Sequence, residues 1–443
     1  MRFPAFSKQC AVMVALAAGM GIAATQAPAA TALKTPERKL VAHVEAHRSE
    51  ALTLLERSVN INSGTHNLKG VREVGVIFRE ALDALGFRTE WIEGEGFGRA
   101  GHLVADHPGP SARIVLIGHL DTVFEADSPF QKFERLDDAR ARGPGIIDMK
   151  GGDVILVSAL RALAAAGLLK KMNVAVVMTG DEEDPGHPLG RAREALVAAA
   201  RKARFAIGFE DGDGDPKHAV TARRGSTSWH MSVQGTPAHS SQIFREDIGA
   251  GAIFEAARIL EAFRAKLSGE PHLTFNPGLV LGGTSAQLDG EASRGTAFGK
   301  SNVIAEHVEA LGDLRALTRE QFESAEARMR EIVAASLPHT QGRIDFEEGY
   351  PPLPPAEGND RLLSLYNEVS QDLGLGPVTA TDPDKAGAAD VAYLAGQVPM
   401  ILDGIGLKGK GGHTAEEIAD LETLTLQTKR AAVLLYRLSQ AKP

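Results

Sequence analysis

The chain has almost no cysteine: Cys10 is the only one among 443 residues. A single thiol excludes an internal disulfide framework, and any metal would have to be bound by His, Asp and Glu. Runs of basic residues are also missing and the formal net charge is -9, so nucleic acid is not an expected partner. Beyond the first thirty residues, no stretch is long and apolar enough to cross a membrane.

The first thirty residues differ from the rest in charge and hydropathy. MRFPAFSKQC carries two basic residues and no acid, and the apolar segment CAVMVALAAGMGIAA overlaps its end. Ala27-Pro28-Ala29 then offers an A-x-A cleavage signal, so residues 1–29 are predicted to be a secretory signal peptide. A membrane anchor is the alternative, but the apolar run is shorter than the roughly 20 residues that a spanning helix needs. The mature protein is therefore expected to be periplasmic or secreted, away from the membrane and without cysteine.

Short apolar runs bounded by turns predict the strands of the main domain. They are RIVLI (113–117), NVAVVM (173–178), RFAIGF (204–209) and VPMIL (398–402). Amphipathic helices separate the first three runs, and a continuous helix is predicted over residues 36–60. Apolar strands that alternate with helices indicate an α/β fold with a mostly parallel sheet covered on both faces. Ligands of such sheets bind beyond the carboxyl ends of the strands.

The middle of the chain has a different order of predicted strands and helices, which indicates an inserted domain. Residues 223–345 follow the order β-α-β-β-α-β, which is that of a ferredoxin-like α+β module. Its first helix, GAGAIFEAARILEAFRAKL, is expected to bury one apolar face, formed by Ile253, Ala256, Leu260, Phe263 and Leu267. The Pro-rich segment PPLPPAEG is a plausible hinge after the insertion. The main domain would then comprise residues 30–222 and 346–443.

Histidines and carboxylates follow the predicted strands, where a ligand would bind. Five of them could form two metal sites that share one aspartate, each with one imidazole and two carboxylates: His119, Asp148, Glu183, Glu210 and His413. This donor set suits zinc, with cobalt or manganese as alternatives. Each motif taken alone (GHLD, GDEED or GGH) is more often a solvated loop than a site, and only their ordered occurrence at equivalent strand ends carries the prediction.

Two further acids near these ligands have predicted roles. Glu182 would remain unbound beside the metal pair, and a carboxylate in that position is a natural general base. Asp121, two residues beyond His119, could accept a hydrogen bond from the ring nitrogen that does not bind metal. Lys408 and Lys410 precede His413, and solvated loop lysines are the favoured interpretation for both.

The motifs GHLDTVF, GPGIIDMKGG, TGDEED, FED and GGHTAEE together resemble the di-zinc metallopeptidase and amidohydrolase family of glutamate carboxypeptidase, acetylornithine deacetylase, succinyl-diaminopimelate desuccinylase and aminoacylase. The resemblance extends from about residue 40 to the C-terminus. It implies a zinc exopeptidase catalytic domain with an inserted lid that often dimerises. It further implies that His119 and Glu210 bind one zinc, that Glu183 and His413 bind the other, that Asp148 bridges them, and that Glu182 is the base.

The resemblance also covers the inserted domain. VQGTPAHSS is similar to the lid strand whose histidine, here His239, reaches the active site of the partner subunit. SNVIAEHVEALGDLRA is similar to the segment whose Asn and Arg contact substrate, which implies roles for Asn302 and Arg315. A surface ion pair with Asp313 is the alternative for Arg315. The family further implies a cis peptide bond after the bridging Asp148.

These observations predict a secreted or periplasmic metallohydrolase with two zinc ions per subunit, which forms a homodimer through its lid. Its expected reaction is the release of a C-terminal amino acid from a small peptide or an N-acyl amino acid. An aminopeptidase or a small-molecule deacylase of the same family is the first alternative. A periplasmic binding protein that kept the fold without the chemistry is the second.

Overall fold

A computed structural model describes residues 33–289 and 294–441. The predicted signal peptide, residues 1–29, lies outside the described residues. No helix in the described part of the chain combines the length and the apolarity that a membrane-spanning segment requires.

The N-terminal part of the chain builds most of the main sheet and its helices. Its helices are α1 (Thr35–Ala46), α2 (Arg48–Val59), α3 (Leu68–Asp83), α4 (Gly151–Ala165), α5 (Leu189–Ala192) and α6 (Glu194–Ala199). Its strands are β1 (Arg88–Glu93), β2 (Gly101–His107), β3 (Arg113–His119), β4 (Glu134–Arg135), β5 (Arg140–Arg142), β6 (Asn173–Thr179), β7 (Ala203–Gly208) and β8 (His218–Ala219).

An α+β module and a C-terminal segment follow. The module contains β9 (Gly225–Gly235), α7 (Gly251–Leu267), β10 (Thr274–Gly283), β11 (Ser285–Asp289), β12 (Arg294–Phe298), β13 (His307–Ala316), α8 (Arg319–Ala334) and β14 (Thr340–Phe346). The final segment contains α9 (Glu357–Asp372), β15 (Thr379–Ala380), β16 (Met400–Leu402), β17 (Gly409–Lys410), β18 (Ile418–Asp420) and α10 (Leu421–Ser439).

The main sheet has the strand order β1-β2-β6-β3-β7-β16. The four strands from β6 to β16 run parallel, and β1 and β2 add an antiparallel edge. Alternate residues of β3 enter two different cores: Ile114 and Leu116 pack with the layer of α1 to α4 and α10, whereas Val115 and Ile117 pack with α6 and residues 389–401. Burial on both faces explains why the strands are continuous apolar runs, and the predicted α/β class with a mostly parallel sheet is confirmed.

The inserted module forms its own antiparallel sheet with the order β10-β13-β9-β14. Helices α7 and α8 pack on this sheet and share with it a core that includes Trp229, Phe263 and Met329. This is the strand order of a ferredoxin-like fold. The two connections to the main domain run side by side, with bridges between Arg223 and Leu353 and between Ser226 and Tyr350. The domain boundaries at 222/223 and 345/346 stay predictions.

Local expectations were wrong at three places. The helix predicted over 36–60 is interrupted at His47, whose Nδ1 lies 2.8 Å from the carbonyl oxygen of His43. Ile253, assigned to the buried face of α7, is 51% exposed, because that face is formed instead by Ala252, Ala256, Ile259, Phe263 and Leu267. The hairpin of β11 and β12 was not predicted, because its strands carry too few apolar residues for a clear alternation.

Candidate metal centre

The structure brings the five predicted ligands together at the carboxyl end of the parallel sheet. His119 is the last residue of β3, and Glu183 and Glu210 lie in the loops after β6 and β7. Asp148 precedes α4, and His413 lies between β17 and β18. Because parallel strands end at one edge of the sheet, residues far apart in sequence meet there.

Asp148 lies between the two histidines of the cluster. Its Oδ1 is 3.1 Å from Nε2 of His119, and its Oδ2 is 2.9 Å from Nε2 of His413. Oε1 of Glu210 is 3.7 Å from the same nitrogen of His119. Oε2 of Glu183 is 3.2 Å from Nε2 of His413. The arrangement therefore has two halves that share Asp148, and the roles of these residues as metal ligands stay a prediction.

The electrostatics of the cluster fit divalent cations. Burial and then the Asp148 carboxylate raise the pKa of Glu183 to about 7. Burial also raises the pKa of Glu210 well above its usual range. Oε1 of Glu183 is buried and has no hydrogen-bond partner among the described residues. Crowded, desolvated carboxylates with a free acceptor atom are stabilised by a bound cation, and imidazole with carboxylate is a donor set that suits zinc.

Glu182 lies within the same cluster but keeps its carboxylate free. One of its ligand atoms lies within 4.8 Å of those of His119 and Glu210. No described residue donates a hydrogen bond to this carboxylate, although both backbone groups of Glu182 are bonded. Burial raises its pKa well above the usual glutamate value. A partly buried carboxylate with a raised pKa and no fixed partner has the properties of a general base.

Asp121 lies next to the second ring nitrogen of His119 and also supports the turn after β6. Nδ1 of His119 is 3.0 Å from the backbone oxygen of Asp121 and 3.5 Å from its carboxylate, so the backbone is the closer partner. The carboxylate also accepts the backbone N–H groups of Glu182 and Glu183, at 3.0 and 3.1 Å, and the hydroxyl of Thr65 at 2.7 Å. A fully buried carboxylate needs several donors; the turn after β6 supplies two of them and Thr65 the third. Asp121 thus fixes the backbone that carries both glutamates.

Glu417 holds the loop of Asp148 and was not singled out from the sequence. Its buried carboxylate accepts the backbone N–H groups of Gly145 at 3.0 Å, Ile147 at 2.8 Å and Asp148 at 3.3 Å. The peptide bond Asp148-Met149 within this loop is cis, as the family resemblance implies. The only available signal was an acid four residues after His413, because the contact joins positions about 270 residues apart.

We expect Glu417→Gln to weaken metal binding by roughly 10- to 100-fold, the usual effect of losing a residue that supports metal ligands. The amide would turn an NH₂ group toward backbone N–H donors, so the loop would lose the position that it gives Asp148. Competition with a chelator would measure the change in metal affinity. Glu416→Gln, at the exposed neighbouring acid, is the matched control, and equal affinity of the two variants would contradict this role for Glu417.

A second support lies behind Glu210. Oδ1 of Asp403 accepts the backbone N–H of Glu210 at 3.3 Å, and its Oδ2 accepts Nε of Arg223 at 2.9 Å. The interpretation of Lys408 as a solvated lysine is wrong: it is 1% exposed, and its Nζ donates to the carbonyl oxygens of Asp211 and Gly404. Lys408 therefore ties the loop after β7 to the loop after β16. Lys410 is exposed.

A buried polar network lies beneath Glu182, and sequence reasoning missed most of it. Arg193 donates to Oδ1 of Asp181 at 2.6 Å, to Oδ1 of Asp390 at 2.7 Å and to the hydroxyl of Tyr350 at 2.6 Å. That hydroxyl donates to the backbone oxygen of Glu182 at 2.8 Å. Arg193 gives no signal in the sequence, because an arginine in a short helix is usually a surface residue.

The three predicted lid residues have hydrogen-bond partners within the lid. His239 follows β9, and its Nδ1 lies 2.8 Å from the hydroxyl of Ser241. The backbone oxygen of Asn302 lies close by, where it accepts the N–H of Ser240. Arg315 lies near the other end of the sheet, roughly 30 Å away at 3.3 Å per residue, and forms the alternative ion pair with Asp313 at 2.9 Å. Among the described residues, no hydrogen bond or ion pair joins these three residues to the metal cluster.

The fold and the cluster define a metallohydrolase class, and the comparison with family models agrees. Residues 115–437 match the model described as peptidase family M20/M25/M40. The chain belongs to this family of hydrolases, whose members are typically di-metal enzymes. The assignment supports the hydrolase and metallopeptidase class, and the metal of this chain stays a prediction.

Individual relatives are similar over most of their length. The chain is 24% identical over 399 residues to carboxypeptidase G2 from Pseudomonas sp. (strain RS-16), covering 88% of this chain and 89% of the relative. It is 28% identical over 364 residues to succinyl-diaminopimelate desuccinylase from Acidiphilium cryptum, covering 79% and 88%. Among solved structures, aminopeptidase PepT from Bacillus cereus superposes with a TM-score of 0.72 at 18% identity, covering 89% of this chain and 99% of that one. The last similarity concerns the fold alone.

Proposed function

We propose that this protein is a zinc-dependent hydrolase that releases a C-terminal amino acid from small peptides or N-acyl amino acids. The observation that carries hydrolysis is the partly buried carboxylate of Glu182, which has no hydrogen-bond partner among the described residues, beside a cluster of histidines and carboxylates. Similarity to carboxypeptidase G2 supports a carboxypeptidase reaction. A small-molecule deacylase is the second candidate, supported by the similarity to succinyl-diaminopimelate desuccinylase.

The chain offers a complete set of groups for amide hydrolysis. His119, Glu210 and Asp148 would hold one zinc ion, and His413 and Glu183 would hold the other together with the same aspartate. Two bound zinc ions would polarise the scissile carbonyl and lower the pKa of the attacking water. Glu182 accepts the proton of that water and passes it to the leaving amine nitrogen. Asp121 keeps Glu182 in place through the backbone hydrogen bond that it accepts.

Substrate recognition would come from the lid. Arg315 lies in β13 between Leu314 and Ala316, which belong to the core shared with the lid helices, so it is on the sheet face away from those helices. A guanidinium binds a carboxylate through two parallel hydrogen bonds. A substrate carboxylate would compete with Asp313 for this group. Asn302 would contribute an amide to the substrate and His239 a donor to the oxyanion, in both cases from the lid.

A release assay with the zinc-loaded mature protein tests the proposed reaction. We expect free amino acids to appear from N-acyl amino acids and dipeptides, and we expect esterification of the substrate carboxylate to abolish release. Release that instead requires a free substrate amino group would identify an aminopeptidase, and release of succinate or another acyl group without preference for the amino acid would favour the deacylase. Two bound zinc ions without turnover on any substrate would favour the alternative of a periplasmic binding protein that kept the fold without the chemistry.

We also propose that two copies of the chain associate through their lids. Several large apolar side chains are exposed on this module: Phe244, Ile253, Phe254, Val280 and Phe298. Clustered apolar exposure is typical of an interaction surface. Strand β10 forms a ladder with β13 alone among the described strands, and α7 presents Ile253 and Phe254 beside it. Static light scattering should give twice the mass of the chain, and Phe254→Asp should give a monomer.

Subunit mixing tests whether His239 serves the partner's site. Loss of an oxyanion donor should lower kcat by about 10²- to 10³-fold in His239→Ala. Mixing this variant with inactive Glu182→Ala should restore about a quarter of wild-type activity, because half of the dimers are then mixed and carry one complete site. No recovery after confirmed subunit exchange would show that His239 does not act across the interface.

Export is proposed from the N-terminal sequence. N-terminal sequencing of the protein recovered from the periplasm or the medium should place the first residue at about position 30, and recovery of the full-length chain from the cytoplasm would contradict export.

A further inference from the structure

A cavity of about 30 Å³ lies on the helical side of the main domain, away from the metal cluster. It is lined at the break between α1 and α2 by His43, His47 and Arg48, and in α4 by Ser158 and Arg161. Residues of α10 close it. A groove of about 300 Å³ shares Arg161 and Glu50 with the cavity.

Hydrogen-bond donors in this cavity lack acceptors. Nε of Arg48 and Oγ of Ser158 are both buried without a partner. The guanidinium of Arg161 has no hydrogen bond or ion pair within the described residues. Buried donors are almost always satisfied in folded proteins, by protein atoms, water or a ligand. Two such donors, with the partly buried guanidinium of Arg161 beside them, therefore indicate an acceptor-rich occupant.

The charges favour an anion over water. Two guanidinium groups, from Arg48 and Arg161, meet at the cavity. Glu50 is the one carboxylate in the lining, and its side chain is 62% exposed and only 3.9 Å from His47. Arginine forks match the oxygens of phosphate or sulfate.

We propose that this cavity binds a small tetrahedral oxyanion from solution, such as inorganic phosphate or sulfate, through Arg48, Arg161 and Ser158. The anion joins α1 and α2 to α4, the helix that begins three residues after Asp148. The site is separate from the proposed catalytic centre, and its test does not depend on turnover.

Selenate locates the site directly. A crystal of the zinc-loaded protein soaked in selenate should give an anomalous selenium peak between Arg48, Arg161 and Ser158. A peak at the metal cluster is distinguished by its position. A well-ordered map with only water in the cavity would overturn the proposal.

Calorimetric titration with sulfate, at ionic strength held constant with chloride, measures affinity in solution. Arg48→Gln and Arg161→Gln should each raise the Kd at least about tenfold, because each removes a charged donor. Arg57→Gln, which removes a charge from the neighbouring groove, should change it less than about twofold. Equal affinities in all of these proteins would overturn the proposal, and any binding at the metal cluster cancels in the comparison.

Two further variants separate the site from a folding effect. Ser158→Ala removes one hydroxyl and should weaken sulfate binding about threefold without disturbing the fold. Glu50→Gln should strengthen binding, since it removes the carboxylate that opposes the anion. Unchanged or weaker binding in Glu50→Gln would contradict an anion bound in this cavity. Binding to phosphatidic acid vesicles that depends on Arg161, without binding of free sulfate, would contradict a site for free anions.

Discussion

Glu182→Gln is expected to lower kcat by about 10³-fold or more while zinc content stays at two ions per chain. The amide keeps the size of the side chain and cannot accept a proton from the attacking water. The Glu182 carboxylate accepts no hydrogen bond from the described residues, so its replacement by an amide should leave the surrounding structure unchanged. Steady-state kinetics and metal analysis of the same preparation give both quantities.

The neighbouring acid supplies the control for this experiment. Asp184 is half exposed and pairs with His66 at 2.8 Å and Arg99 at 3.1 Å. Asp184→Asn should therefore keep kcat within a few-fold of wild type, because exposed ion pairs contribute little. An active Glu182→Gln enzyme would remove this residue as the base. Loss of zinc together with activity would instead make Glu182 a ligand.

Arg193→Met is expected to reduce the free energy of unfolding by about 3 to 5 kcal/mol. The guanidinium is 1% exposed and lies between two buried carboxylates, Asp181 and Asp390. Removing it leaves both acids without their cation in a site that water does not reach. Chemical denaturation of the zinc-loaded protein, followed by circular dichroism, would measure the change.

Arg191→Met, two residues earlier, is the matched control because Arg191 is exposed. It should change stability by no more than about 0.5 kcal/mol. The double variant Arg193→Met/Asp390→Asn should regain part of the loss, since one unpaired charge is removed. If Arg193→Met and Arg191→Met unfold alike, the network beneath Glu182 is not a structural support.

The strands and the candidate ligands were accessible from the sequence because both leave local signals. A strand buried on two faces must be apolar throughout, as in residues 113–117. A residue that follows such a strand lies at the sheet edge where ligands bind, so His119, Glu183 and Glu210 could be grouped before any distance was known. Asp148 and His413 joined them through the order of the motifs.

The supports of the site were not accessible in this way. Glu417 bonds to backbone groups about 270 positions away, and Arg193 meets Asp390 across 197 positions. The sequence does not show whether a charged side chain is buried or exposed, because that depends on how distant segments pack around it. For this reason Lys408 was wrongly predicted to be a solvated lysine. It is buried, and its Nζ donates to carbonyl oxygens in the loops after β7 and β16.

The sequence by itself determined the class of fold, the mostly parallel sheet and the set of His, Asp and Glu residues at its carboxyl edge, since the hydropathy period and the succession of strands and helices along the chain are local properties. Tertiary structure decided which groups hold that set in place, that Asp121 supports the backbone of Glu182 and Glu183, and that the unpaired donors of Arg48 and Ser158 share a cavity. These features depend on contacts between distant segments, and a polar side chain acquires its role only when packing removes it from water.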